Sequence, residues 1–276
     1  MFPFKTALNA STLFPFALDV KQQVRVAAEA GFDAIELWIK DIDAYLDSGG
    51  TIKDLRAYIA DTGIALANAI AFFRWADADD TLREAGLAQA EREMRMLAAL
   101  GCPAIAVPPY GNMEGNTLES MASQFVQLAD MAHTIGIEPY LEFWGRATLL
   151  SRLSEAMFIA MESGLPDVKI LLDPFHMYTG GTNVNSLAYV NGRNIGIVHV
   201  NDYPAIPGKQ QITDRDRVFP GEGIAPAREF AGLLDRSGYR GYLSLELFVD
   251  DYGGASALEI AQRGRQAILN TYHVDD

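Results

Sequence analysis

The chain has 276 residues, 49% of them hydrophobic and 21% charged, enough apolar material for one full core and far from the charged, apolar-poor composition of disorder. The formal net charge is −14, the wrong sign for a surface that meets nucleic-acid phosphates or anionic lipid. The single cysteine, Cys102, rules out an intrachain disulfide and a cysteine zinc cluster; set between Gly101 and Pro103 before an apolar run, it reads as a buried structural thiol.

The N-terminus lacks the charged, apolar and small-residue regions of a secretory signal, and no run approaches the length of a membrane span. A cytoplasmic protein without membrane or nucleic-acid partners is expected, with monomer and homo-oligomer both left open.

A weak repeat of about 35 residues runs through the chain. Its first strand covers residues 6–11. Gly31, Gly63, Gly101, Gly136, Gly164, Asn194 and Gly238 then each precede an apolar strand, at residues 34–37, 64–68, 104–107, 137–142, 168–173, 195–201 and 242–246. Glycine takes the left-handed conformation that closes a helix, and near-continuous apolar runs mark parallel strands buried on both faces. Helical patterns cover residues 19–30, 51–62, 79–100, 117–135, 148–163, 183–192, 224–236 and 256–271, with Asp19, Thr51 and Thr117 as N-caps.

Eight strand–helix units predict one α/β domain over residues 1–276, a (β/α)8 TIM barrel. The alternative, a doubly wound sheet, usually carries a glycine-rich phosphate loop, and neither such motif is present. Residues 202–223 form a long loop after the seventh strand. Loops of that length are uncommon without a use, and in a barrel this one lies on the face where active sites form.

Strand ends supply the chemistry. Glu142, Asp173, His199 and Glu246 end strands five to eight, so four neighbouring strands direct three carboxylates and an imidazole to one place. Each acid alone could cap a helix or face solvent. Crowded together they repel, and a divalent ion answers that repulsion: Mn²⁺ first, with Mg²⁺, Co²⁺ or Zn²⁺ as alternatives. His176 lies within reach of substrate, or simply at a helix start. Arg217 anchors a substrate oxygen, or pairs with Asp214 or Asp216. Glu36 bonds substrate hydroxyls, or pairs at the barrel mouth. Trp38, Phe72, Phe73 and Trp144 offer aromatic walls for a sugar ring, or close the barrel. His133 and His273 are read as surface or helix-packing residues.

The ordered fragments Gly31-Phe-Asp-Ala-Ile-Glu-Leu37, Leu141-Glu142, Leu171-Leu-Asp-Pro-Phe-His176, Val198-His-Val-Asn-Asp202, Asp216-Arg-Val-Phe-Pro-Gly-Glu-Gly223 and Leu243-Ser-Leu-Glu-Leu-Phe248 span nearly the whole chain. Together they resemble the xylose-isomerase-like TIM-barrel superfamily of sugar isomerases and epimerases. The stretch from His199 to Phe248 most resembles its inosose isomerase-like members.

The resemblance implies that Glu142, Asp173, His199 and Glu246 bind one metal ion. It also implies that Glu142 and Glu246 act as acid and base, and that His176 and Arg217 hold substrate oxygens. Ketose 3-epimerases of the superfamily carry a further Glu where this chain has Thr148. Its apurinic endonucleases need more histidines than the four present. The expected activity is a metal-dependent isomerase or epimerase on a small carbohydrate, a keto-sugar or inosose, working through an enediolate. A dehydratase or lyase using the same site is the alternative; a nuclease or a binding barrel ranks below both.

Overall fold

The structure, a computed structural model, describes residues 1–274. Its strands are β1 (Lys5–Asn9), β2 (Ala34–Trp38), β3 (Ala65–Ile70), β4 (Ala104–Val107), β5 (Glu138–Glu142), β6 (Lys169–Leu172), β7 (Ile195–Val200) and β8 (Tyr242–Leu245). They form one sheet in the order β3-β2-β1-β8-β7-β6-β5-β4, and every ladder in it is parallel. The first strand pairs with both the second and the eighth. The seam falls between β3 and β4, which lie side by side without a ladder among the described residues. This nearly closed ring is the expected TIM barrel and sets aside the open doubly wound sheet.

The helices are α1 (Val20–Glu29), α2 (Ile39–Asp47), α3 (Ile52–Thr62), α4 (Asp80–Leu100), α5 (Leu118–Ile135), α6 (Leu153–Glu162), α7 (Pro174–Gly180), α8 (Ala227–Arg236) and α9 (Ala257–Thr271). Asp19, Thr51 and Thr117 cap α1, α3 and α5 as expected, each side chain accepting a backbone N–H three residues on. Gly101 closes α4 at φ 91°, in the left-handed region, and hands the chain to β4.

The main core is the apolar layer between sheet and helices. Inside the ring the strands carry small residues: Ala7, Ala34, Ala67 and Ala106 share a buried cluster with Leu171 and Ile197, against which Tyr140 packs. Tyr140 fits because β7 offers Gly196 there; a Cβ on Gly196 would lie 2.4 Å from the Tyr140 ring. Cys102 is buried, its thiol pushed up to about 12 by burial, as a structural residue should be.

Several expectations need correction. Residues 183–192 are not an α-helix: they hold a 3-10 turn, Val184–Tyr189, and run into a second, Gly192–Asn194. The helix after β6 is instead α7, which starts at once because Pro174 has the fixed φ of a first helical position and Asp173 caps it. The helix expected from 148 begins only at Leu153, after a loop in which Leu150 sits at φ 58°. A further helix, α2, follows β2 directly.

The long loop after β7 is pinned rather than loose. Asp202 and Val218 form an antiparallel bridge. The buried Asp202 carboxylate accepts the backbone N–H groups of Tyr203, Gly221 and Ala225. Among the described residues no helix is long and apolar enough to cross a membrane.

Candidate active site

The C-terminal strand ends open into a cavity of about 850 Å³. Glu142, His176, His199, Arg217 and Glu246 all reach its wall, so strands five, seven and eight, helix α7 and the pinned loop converge there. Asp173, buried just after β6, lies 2.8 Å from Arg217 through Oδ2. Its other oxygen accepts the Phe175 N–H at 2.7 Å, so Asp173 is both helix cap and site residue.

Asp173, His199 and Glu246 each offer a ligand atom within 4.8 Å of the others. Ligands about 2.0–2.2 Å from a shared ion stand roughly 3–4 Å apart, and His199 Nδ1 and Glu246 Oε2 are separated by 3.2 Å. Glu142 stands just outside it, its Oε1 4.0 Å from His176 Nε2.

His199 carries a second signature. Its Nε2 lies 3.3 Å from Glu36 Oε2 and 3.2 Å from Glu36 Oε1. Its Nδ1 is buried and makes no hydrogen bond, although Glu246 Oε2 is 3.2 Å away. In the neutral ring with its Nε2 proton given to Glu36, the state a bound cation would require, the Nδ1 lone pair would be left for an ion shared with Asp173 and Glu246. Histidine ligands of metal ions are commonly held this way, one ring nitrogen on a carboxylate and the other on the ion.

The electrostatics show what a cation would relieve. Burial raises the Glu142 carboxyl to about 8; His199 opposes the rise, while the Glu246 and Asp173 charges add to it. Burial also pushes Asp173 up, but Arg217, His176 and His199 outweigh it and hold that group at about 2. For His199, burial favours the neutral ring, yet Glu246 and Glu36 raise it well above the usual histidine range. His176 goes the other way, lowered first by burial. The Arg217 guanidinium supplies the nearest positive charge: Nη1 lies 2.8 Å from Asp173 and 2.6 Å from Glu246, and Nη2 lies 2.6 Å from Asp214. The guanidinium carbon lies 4.5 Å from the Phe175 ring centroid and 5.2 Å from that of Phe248. The Asp214 pair read from the sequence therefore exists alongside the contact with the site.

Glu36 does not reach the cavity. It is fully buried behind His199, with Asn68 Nδ2 2.8 Å from its Oε2. Glu36 stands midway along β2, two residues short of the strand end, and its carboxylate meets the imidazole inside the ring. Of the aromatic candidates, Trp38, Phe72 and Trp144 line the cavity; Phe73, in the segment that follows β3, is buried in the main core instead. His133 is exposed on α5, and His273 follows α9 with Nδ1 2.8 Å from the Asn270 carbonyl. Thr148 is on the cavity wall.

Asn9 was not singled out from the sequence. Its Oδ1 accepts from Trp38 Nε1 at 2.8 Å and Ser11 N at 3.0 Å, which turns its amide N–H onto Glu246 Oε1 at 3.0 Å. Asn201 bonds Asp173 Oδ1 at 3.2 Å. Asn9 and Asn201 are polar residues at strand ends, the same signal that marked the four candidate ligands.

Known proteins share this fold and match this sequence over most of its length. Inosose isomerase of Bacillus velezensis is 26% identical over 269 residues, 94% of this chain and 95% of that protein. The 3-dehydroshikimate dehydratase of Pseudomonas aeruginosa is 27% identical over 257 residues, 90% of this chain but 39% of that longer protein. Among solved structures, the IOLI protein, crystallised with a zinc atom, matches with a TM-score of 0.90 at 24% identity over 98% of both chains. A family model described as xylose isomerase-like TIM barrel aligns with residues 24–270, nine-tenths of a chain folded as that barrel, and the chain belongs to this family.

Proposed function

We propose that this chain is a divalent-metal-dependent isomerase or epimerase that moves a proton beside the carbonyl of a keto-sugar or inosose. The observation that carries this reading is the triplet Asp173, His199 and Glu246 at the mouth of a barrel, with an unpartnered His199 Nδ1 and Glu142 on the same cavity. The inosose isomerase relative supports the substrate class.

Asp173, His199 and Glu246 would hold the ion, with Glu142 beside them. When bound, a divalent ion supplies Lewis-acid polarisation of a carbonyl and offsets the negative charge that develops beside it. Glu142 and Glu246 are the two groups able to take a proton from carbon and return it. Return to the opposite face gives an epimer; return to the neighbouring carbon gives an isomer. Arg217, fixed by Asp173, Glu246 and Asp214, and His176, 3.4 Å from it, hold substrate oxygens. A second reading, loss of a β-hydroxyl after the same proton removal, is supported by the dehydratase relative.

The test is deuterium incorporation. The Mn²⁺-loaded protein is incubated with an inosose in D₂O and followed by NMR. Exchange at a carbon beside the carbonyl, with appearance of an isomer, is expected; an unsaturated product would point to the dehydratase. Absence of exchange across inososes and ketoses, with metal bound, overturns the reading.

Glu36 acts through His199. Glu36→Gln is expected to weaken metal binding by about 10–100-fold in a chelator competition titration. Unchanged affinity would remove Glu36 from the support of the site.

A further inference from the structure

Part of the cavity wall shared with the proposed reacting groups is aromatic. Trp38 lies at its centre, with ring centroids at 5.0 Å to Phe14, 5.3 Å to Phe72 and 6.1 Å to Phe248; Phe72 continues to Trp144 at 6.1 Å. All five line the same cavity as Glu142, His199 and Glu246. The indole N–H of Trp38 is spent on Asn9, so what this ring offers the cavity is an apolar face.

The cations of the rim are also committed. Arg146 donates to the carbonyls of Lys209 and Ile212 at 2.9 and 2.6 Å. Arg215 pairs with Asp250, and Arg217 with Asp173, Glu246 and Asp214. Every arginine on the cavity wall thus has a protein partner among the described residues, and the chain's net charge of −14 adds no attraction for an anion.

Two requirements follow for the occupant. A hydroxyl turned against these five rings finds no donor or acceptor there, at a cost for each unmade hydrogen bond, so the hydroxyl-bearing end of a substrate belongs beside the polar groups of the same cavity and the aromatic wall is left for an apolar part. The cavity, about 850 Å³, lies near the top of the range of about 300–1,000 Å³ that encloses drug-sized ligands, and so has room beyond one six-membered ring.

Resting on the proposed proton-transfer site for the sugar end, we infer that the substrate is an uncharged keto-sugar carrying an apolar ring substituent, an aryl glycoside rather than a free or phosphorylated sugar. The sugar carbonyl sits over the triplet, and the substituent lies among Phe14, Trp38, Phe72, Trp144 and Phe248. Aromatic surfaces suit this through offset and edge-on stacking.

The test is calorimetric titration of the Mn²⁺-loaded full chain with phenyl and methyl β-D-glucopyranoside, which lack the reacting carbonyl and so report binding alone. The phenyl compound is expected to bind about tenfold more tightly than the methyl compound, the scale of one or two aromatic contacts. Phe72→Ala should bring phenyl binding down to the methyl level, and Phe72→Leu, which keeps bulk and fold, should lower it severalfold. Equal binding of the two glycosides, no binding of the phenyl compound, or a preference untouched in both variants overturns the inference. Deuterium exchange on an inosose is read separately: exchange without an aryl preference leaves the proton-transfer site standing and removes only the substituent.

Discussion

Glu246→Gln is expected to lower turnover by at least about 10²–10⁴-fold, the usual contribution of a positioned acid or base. Glu246 follows β8, its backbone N–H bonded to the Val200 carbonyl at 3.1 Å. Asn9 donates to one carboxylate oxygen, and Arg217 and His199 crowd the other. A glutamine keeps the Asn9 bond only by turning its amide N–H groups toward Arg217, donor against donor. It therefore removes the proton acceptor and a proposed metal ligand together, and metal content should fall with rate.

Glu142→Gln separates the two effects. Glu142 lies outside the tight triplet, so turnover should fall to a similar degree while bound metal falls less than in Asp173→Asn. Steady-state rates with elemental analysis on the same preparations check both. Wild-type turnover in either glutamine variant would remove that glutamate from the proton transfer.

Metal removal should abolish activity and lower the melting temperature without unfolding the protein. At one hundred times its dissociation constant, an ion that binds only the folded state contributes about 2.7 kcal/mol. Without it, the charges of Arg217 and His199 still offset part of the carboxylate repulsion, and the barrel core is untouched. Chelation followed by differential scanning calorimetry and activity assay reads this. Asp173→Asn should lose the ion outright, from about one per chain to none. Full activity after exhaustive chelation would sink the metal-dependent reading.

The local pattern of the chain carried most of the architecture. Gly63, Gly101 and Gly136 close helices at φ 73°, 91° and 91°, and the apolar run after each becomes a strand. Both features are local: a glycine tolerates the left-handed conformation wherever it stands, and a parallel strand buried on two faces must be apolar along its length. The same logic marked Glu142, Asp173, His199 and Glu246, polar side chains breaking out of apolar runs, and the structure brings all four to the barrel mouth.

Local pattern failed where tertiary contacts choose the outcome. Residues 183–192 read as helix, yet the helix formed at Pro174–Gly180, where Asp173 both caps it and faces Arg217. The sequence by itself determined the eightfold strand–helix alternation and the set of strand-end polar residues. Only the tertiary structure decided that Glu36 holds His199 across 163 positions, that Arg217 lies between Asp173 and Glu246, and that Phe72 lines the cavity while Phe73 packs the core. The physical reason is that hydrophobic periodicity is written in neighbouring residues. The partner of a buried charge and the placing of a ring are set by side-chain directions on strands, and on the segments that follow them, which meet only when the barrel closes.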